Sequence, residues 1–187
     1  IFKLPLMGFI AALTAITLLG FWEWTQFTGS NSRFAALVPA VIVTGLSFLY
    51  ISPDAHSLNH LATPHYVVLG LGFVWWIIAS LMAITYPKTT KSWQNNFVLR
   101  HVFGFLTLIP FLWSVVILRA HDITVDPYHG AKLVLYVCFL VWAADSGAYF
   151  AGKSLGKRKM APHVSPNKTI EGLIGGIITA LIVAWAF

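Results

Sequence analysis

Long apolar stretches dominate this chain of 187 residues and constrain its fold more than any other feature. They lie at about 4–22, 35–51, 66–86, 97–118, 132–151 and 170–187, and each approaches the ~20 residues that an α-helix needs to cross a bilayer. Hydrophobic residues make up 58% of the sequence and charged residues only 10%. We therefore predict an all-α fold, a polytopic transmembrane helix bundle of about six spans that forms a single integral-membrane domain over residues 1–187.

The distribution of basic residues predicts which ends of the spans face the cytoplasm. Segments after the first, third and fifth spans hold nine of the twelve Lys and Arg residues. These nine are Arg33, Lys88, Lys91, Arg100, Lys153, Lys157, Arg158, Lys159 and Lys168. Because basic loops stay on the cytoplasmic side, we place the basic loop 152–169 in the cytoplasm of a multi-pass protein of the inner (plasma) membrane. The net charge of +6 then indicates contact with the lipid bilayer, and we expect no nucleic-acid partner.

This topology places Ile1 outside the cell, and the sequence stops at Phe187 within an apolar stretch. We expect a span before residue 1 and further segments after residue 187, and we interpret the chain as a fragment that is inactive by itself. The single cysteine, Cys138, excludes a disulfide framework and a cysteine-based metal site. Nothing in the sequence supports an oligomer.

Histidines are concentrated in the two predicted loops on the non-cytoplasmic side. They are His56, His60, His65, His121 and His129. The spacing within the 52–65 loop is loose for a metal site, and Asp54 is the only carboxylate near it. We interpret all five as solvated loop residues.

Asp145 lies inside the fifth apolar stretch, where an ionisable group is costly and commonly marks function. Residues four apart share a face of a helix, so Asp145, Tyr149 and Lys153 form one stripe toward the predicted cytoplasmic end. One interpretation is an ion pair of Asp145 with Arg100 or Lys153 that fastens the bundle. The other is a site for a phosphate-bearing substrate and its metal, which the neighbouring basic loop favours.

The second half of the basic loop has the features of an anion site. Ser165 and Pro166 are predicted to be the N-cap and the first residue of the sixth helix. The start of that helix would present backbone N–H groups and a positive dipole end beside Lys168 and Thr169. Glu171, in the first turn, either coordinates a metal or caps the helix. The alternative for the whole loop is a topology signal that binds anionic headgroups.

Two glycine patterns in this region have structural explanations. Residues 147–154 match the phosphate-binding pattern G-x-x-x-x-G-K-[ST], but that motif works only between a strand and a helix, and here it continues a membrane helix. Gly172, Gly175 and Gly176 are predicted to let another helix approach closely. We assign no chemistry to either pattern.

Together these motifs resemble the phosphatidate cytidylyltransferases (CDP-diacylglycerol synthases) of the bacterial type. The resemblance rests on three blocks: Trp22-Glu23-Trp24; Thr107-Leu-Ile-Pro110-Phe; and, above all, Asp145-Ser-Gly-Ala-Tyr149, Gly152-Lys153, Gly156-Lys157, Ser165-Pro166-x-Lys168-Thr169 and Gly172-x-x-Gly175-Gly176. It implies the reaction CTP + phosphatidate → CDP-diacylglycerol + pyrophosphate, with Mg²⁺ as cofactor. The aspartates of the family's C-terminal signature are expected beyond this sequence.

For this reaction we hypothesise roles for individual residues. Asp145 and Lys168 are expected to be catalytic, and Asp145 is expected to act as a metal ligand or as the base-side carboxylate. Glu171 is a second candidate for the metal. The residues expected to bind substrate phosphates are Lys153, Lys157, Ser165 and Thr169.

Three other functions are compatible with the same features. A CTP-dependent membrane lipid kinase of the polyprenol or phytol type would share the basic loop but would transfer the γ-phosphoryl group. A transporter for an anionic solute could line its pathway with Asp145, although the two similar halves common in transporters are not visible here. A structural membrane subunit would use Asp145 only for stability.

Overall fold

The computed structural model describes residues 3–186, which are mostly helical. In chain order its helices are α1 (Leu6–Thr28), α2 (Arg33–Tyr50), α3 (Ala55–Asn59), α4 (Thr63–Ile84), a short 3-10 turn (Thr90–Ser92), α5 (Phe97–Ala120), α6 (His129–Leu155) and α7 (Ile170–Ala186). By length and composition, α1, α2, α4, α5 and α6 can each cross a membrane, while α7 is apolar but shorter. The predicted multi-pass helix bundle is confirmed: every predicted apolar stretch forms one of these helices, and five of the six are long enough to cross a membrane.

Local sequence signals set several helix ends. Gly29 follows α1 with a φ of 77°, the left-handed conformation in which helices commonly end. The helix therefore ends at Thr28, beyond the end at residue 22 that we predicted. The side chain of Ser32 accepts a hydrogen bond from the Ala35 N–H at the start of α2. Asn96 does the same for the Leu99 N–H at the start of α5. These caps satisfy backbone donors that have no partner inside the helix.

The described chain divides into two compact units, residues 3–82 with 88–131 and residues 83–87 with 132–186. The prediction of one membrane domain stays a prediction. In the first unit α1 and α5 form the centre, and α2, α3 and α4 contribute to the same core. Its most deeply buried large side chains are Phe9, Ile51, Leu58, Leu112 and Trp113.

Two large indole rings in the first unit donate hydrogen bonds to neighbouring helices. Trp113 Nε1 donates to Ser47 Oγ at 3.0 Å, and Trp75 Nε1 donates to Thr107 Oγ1 at 2.9 Å. An indole N–H buried without an acceptor would cost about 1–3 kcal/mol, so these hydroxyls allow the large rings to pack inside.

His65 is buried in the first turn of α4, where its Nδ1 accepts from the Ala62 N–H, so its predicted place in a solvated loop is wrong.

In the second unit, α6 and α7 pack through small residues. A Cβ at Gly172 would stand 2.9 Å from the carbonyl oxygen of Ala148, and one at Gly176 would stand 2.8 Å from that of Ala144. Both distances are too short for a side chain, so only glycine allows the backbones to come this close. The predicted packing role of these glycines is confirmed.

The pattern at residues 147–154 lies entirely within α6, which confirms that it is not a phosphate-binding loop. Its first glycine belongs to the α6–α7 contact, because a Cβ at Gly147 would overlap Thr179. The hydroxyl of Thr179 donates to the carbonyl oxygen of Ala143 at 2.8 Å. One hydrogen bond thus joins the two helices where their backbones are close.

An antiparallel hairpin connects α6 and α7. It consists of β1 (Lys159–Ala161) and β2 (Ser165–Thr169), and the Val164 N–H closes the turn on the Ala161 carbonyl oxygen. The prediction that Ser165 and Pro166 begin the last helix is therefore wrong. Thr169 is the cap instead, since its Oγ1 accepts from the Gly172 N–H at 3.1 Å. Pro166 fits the strand because each strand of a two-stranded hairpin has a free edge that needs no N–H.

The Glu171 carboxylate ties the entrance of the hairpin to the first turn of α7. It accepts from the backbone N–H groups of Lys157 (3.0 Å) and Arg158 (3.2 Å) and from Arg158 Nε (3.1 Å). The Lys157 N–H is the largest cause that lowers the pKa of Glu171 from 4.5 to about 2, followed by the N–H of Glu171 itself and the Arg158 side chain. Glu171 lies outside the five helices long enough to span a membrane.

Gly176→Ala is expected to destabilise the protein, because the new methyl group meets the Ala144 carbonyl oxygen at 2.8 Å. Overpacking of this kind typically costs about 1–3 kcal/mol. Gly45→Ala is the matched control, since a Cβ at Gly45 has nothing within 4 Å and alanine favours a helix by about 1 kcal/mol. Thermal unfolding in detergent measures both variants. A Gly176→Ala variant as stable as Gly45→Ala would contradict the packing.

Glu171→Gln is expected to loosen the hairpin at neutral pH, because the amide loses the charge that holds the Lys157 and Arg158 N–H groups. Limited trypsin digestion should cut after Lys157 and Arg158 sooner in this variant. Glu23→Gln, a carboxylate paired with Arg33 in the first unit, is the control and should leave these cuts unchanged.

The same carboxylate predicts the pH dependence of the hairpin. Because the folded pKa of Glu171 is lowered, its stabilisation is fully present above the ordinary value of 4.5 and is lost as the pH falls toward about 2. Hydrogen exchange of the Lys157 and Arg158 amides, corrected for the intrinsic rate, should show protection falling in that window. Equal pH dependence in the Glu171→Gln variant would contradict this assignment.

Candidate functional site

A cavity of about 790 Å³ lies in the second unit, between α6, the hairpin and the start of α7. Its wall combines charged and amide side chains with small residues of the α6–α7 contact. The lining residues are Asp145, Ala148, Tyr149, Gly152, Lys153, Met160, Asn167, Lys168, Thr169, Gly172 and Leu173. Four of the residues predicted for the site, Asp145, Lys153, Lys168 and Thr169, therefore share one cavity.

One wall is the predicted stripe of α6. Asp145, Tyr149 and Lys153 stand four residues apart on this helix, and all three line the cavity. Lys153 Nζ donates to the Tyr149 hydroxyl at 3.4 Å and lies 5.6 Å from the centre of its ring. The tyrosine thus holds the ammonium group on the cavity face of the helix.

The Asp145 carboxylate has neither an ion pair nor a hydrogen bond within the described part of this unit. Lys153, one of the partners proposed for it as a structural ion pair, contacts Tyr149 instead. The other proposed partner, Arg100, donates from Nη1 to the carbonyl oxygen of Phe27 at the end of α1. An acidic side chain without a partner, facing the same cavity as two ammonium groups, is a better match for a binding site than for a fastening contact.

The opposite wall comes from β2 and the start of α7. Lys168 supplies a second ammonium group, and Thr169 contributes its side chain while it caps α7. Because Thr169 Oγ1 accepts from the Gly172 N–H, its own O–H remains available as a donor toward the cavity. The wall also includes Asn167, which we did not predict as a site residue. Its position next to Lys168 in the Ser165–Thr169 block is the one sequence feature that could have indicated it. The strand conformation of β2 brings it to the wall.

The start of α7 does not offer the open backbone donors that we predicted. The Ile170 N–H donates to the Arg158 carbonyl oxygen across the hairpin, and the Gly172 N–H donates to Thr169. The N–H of Glu171 interacts with its own carboxylate. These first donors are therefore occupied, and side chains must supply most contacts to any anion in the cavity.

Three predicted residues do not line the cavity. Lys157 is exposed at the entrance of the hairpin, and its backbone N–H is bound to Glu171. Ser165 lies at the far end of β2, opposite Ala161. Glu171 has both carboxylate oxygens occupied by Lys157 and Arg158, which does not support the metal role predicted for it. The sequence placed Glu171 correctly in the first turn, but only the fold shows that its acceptors face the hairpin.

Comparisons with known proteins identify the family of the chain. The model of the family described as "Cytidylyltransferase family" matches residues 1–187. A phosphatidate cytidylyltransferase of Haemophilus influenzae is 46% identical over 182 residues, which cover 96% of this chain and 63% of that protein. One of Pseudomonas aeruginosa is 36% identical over 90% of this chain and 57% of its own length. No solved structure is significantly similar to the chain.

The chain thus spans less than two thirds of the length of these relatives. A phosphatidate cytidylyltransferase of Bacillus subtilis is 41% identical over 111 residues, 59% of this chain and 40% of that protein. The family match covers the membrane helices and the cavity residues alike, and the resemblance inferred from the sequence motifs is confirmed: the chain belongs to the cytidylyltransferase family.

Proposed function

We propose that the intact protein transfers a cytidylyl group from CTP to phosphatidate and produces CDP-diacylglycerol and pyrophosphate. The observation that carries this proposal is the single cavity in which Asp145, Lys153 and Lys168 meet. The names of the relatives support the choice of lipid and nucleotide.

The chemistry requires two polyanions to come together. A phosphomonoester oxygen of phosphatidate attacks the α-phosphorus of CTP, the bond from that phosphorus to the bridging oxygen breaks, and pyrophosphate leaves. Such transfers depend mainly on aligning the reactants and on neutralising negative charge. In the cavity Lys153 and Lys168 supply positive charge, and the Asn167 amide and Thr169 hydroxyl supply neutral donors.

The cavity also fits a magnesium ion. Mg²⁺ is usually held by one or two carboxylates together with substrate phosphates, and Asp145 offers a carboxylate with no partner among the described residues of this unit. We propose that Asp145 holds the ion, whose charge would offset that of the phosphate oxygens. Lys153 and Lys168 bind and orient the phosphates around it.

The proposal places the cavity at the cytoplasmic face of the inner membrane. CTP is water-soluble, whereas phosphatidate stays in the leaflet, so the two can meet only at an interface. The hairpin joins two apolar helices and carries Lys157, Arg158 and Lys159 as exposed residues. The excess of basic residues on this side supports a cytoplasmic location.

Labelled CTP distinguishes cytidylyl transfer from a kinase reaction. The intact protein is incubated with phosphatidate and with CTP that carries a label at the α-phosphate. The label is expected to enter the lipid as pyrophosphate is released, because the bond between the α-phosphorus and the oxygen that bridges to the β-phosphate is broken. Thin-layer separation of lipid and nucleotide measures it. Label that remains in CDP while the lipid gains a phosphoryl group would contradict the proposal.

Lys168→Ala is expected to lower kcat/KM for CTP by about 100-fold, the scale of losing one charge-stabilising donor. Lys159→Ala, which removes a lysine of β1 that does not line the cavity, is the matched control and should stay near the wild-type value. Asp145→Asn should abolish turnover. Thermal unfolding of each variant checks that the fold is retained, and equal losses in Lys159→Ala and Lys168→Ala would argue for a general charge effect of the hairpin.

A further inference from the structure

Three side chains with metal-binding atoms come together in the connection between α5 and α6, in the first unit. Each of His121, Asp122 and His129 offers one ligand atom, and these atoms all lie within 4.8 Å of one another. His121 Nδ1 is 3.2 Å from Asp122 Oδ2, and the two imidazole rings have centres 5.4 Å apart. Among residues 3–186 no other group of three histidine, cysteine or acidic residues meets this criterion.

The backbone beneath the cluster is held by other parts of the same unit. Asp122 adopts a φ of 52°, and its N–H donates to Asn59 Oδ1 at the end of α3 at 3.0 Å. The buried Arg119 donates to the Pro127 carbonyl oxygen within the connection, at 3.2 Å, and to that of Leu4 before α1, at 3.1 Å. These bonds fix the two ends of the connection, so the cluster is supported by helices and not only by a free loop.

We propose that His121, Asp122 and His129 bind a divalent transition-metal ion of the Zn²⁺ class. Two imidazoles with one carboxylate form a common ligand set for such ions. At metal–ligand distances of about 2.0–2.2 Å, tetrahedral ligands lie roughly 3.3 Å from one another. The His121–Asp122 pair already has this separation, and the remaining ligand has to approach by at most about 1.5 Å. Because the cluster is at the surface, water can fill the fourth position.

This site does not depend on the proposed lipid chemistry. The cluster belongs to the first unit, the cavity belongs to the second unit, and the two share no residue. The ion would join the connection's two ends, His121 after α5 and His129 at the start of α6. A bound ion is expected to stabilise the first unit, and loss of a ligand side chain is expected to lower the affinity for the metal.

The test is a calorimetric titration of the intact protein, purified in detergent without a polyhistidine tag, with Zn²⁺. One ion is expected to bind per chain. His129→Ala and Asp122→Asn should each weaken binding by at least about tenfold, since even residues that only support metal ligands contribute 10- to 100-fold. Asparagine tolerates the positive φ at position 122, so Asp122→Asn removes the charge while it keeps the backbone.

His56→Ala is the matched control, because it removes one ring of the only other close imidazole pair in the described chain, His56 and His60 with centres 4.7 Å apart. It should bind Zn²⁺ as the wild type does. Co²⁺ should give the absorption bands of a four-coordinate ion in the wild type and in His56→Ala but not in His129→Ala. Absence of stoichiometric Zn²⁺ binding, or binding lost in His56→Ala and retained in His129→Ala, would overturn the proposal.

Discussion

The close contact between α6 and α7 is the constraint on which the rest of the second unit depends. Within a bilayer, apolar surface gives no net drive for helices to associate, so they pack through small residues that let their backbones come near. Gly172 and Gly176 stand directly against carbonyl oxygens of α6, and Thr179 donates a hydrogen bond across the same contact. This contact holds the ends of the two helices close enough for a hairpin of a few residues to connect them and enclose a cavity.

The charged residues in and around that hairpin have two separate tasks. Arg158 and Glu171 bind each other and fix the path of the chain, and the same carboxylate holds the backbone of Lys157. Lys153 and Lys168 line the cavity and supply its positive charge. A basic loop that looks uniform along the chain therefore consists of a structural part and a part that lines the cavity. The division follows from the position of Glu171, because its carboxylate binds the donors that lie nearest to it, those of Lys157 and Arg158.

The first unit uses a different kind of contact. Its core is filled by large side chains, and the indole N–H groups of Trp75 and Trp113 find hydroxyl acceptors on neighbouring helices. Arg119 is buried and satisfies carbonyl oxygens at the chain start and in the connection to α6. The histidines beside it, which the sequence showed only as scattered loop residues, are brought together by this arrangement. Their separation along the chain, His121 and His129, gave no sign that they share a surface.

Every long helix of the structure could be predicted from the apolar stretches, because hydrophobic length alone decides what can cross a bilayer. The i, i+4 spacing of Asp145, Tyr149 and Lys153 likewise determined that they share a face, since the helix has a fixed period. The hairpin could not be predicted in this way: Ser165-Pro166 is a good helix start in isolation, but pairing of β2 with β1 gives the same backbone another set of hydrogen bonds. For the same reason only the tertiary structure decided that Thr169 caps α7, that Glu171 serves the hairpin, and that Asn167 faces the cavity. Sequence determined which segments enter the membrane and which chemistry they carry, whereas packing decided which of those groups face the cavity, because acceptors and donors choose partners by distance in space.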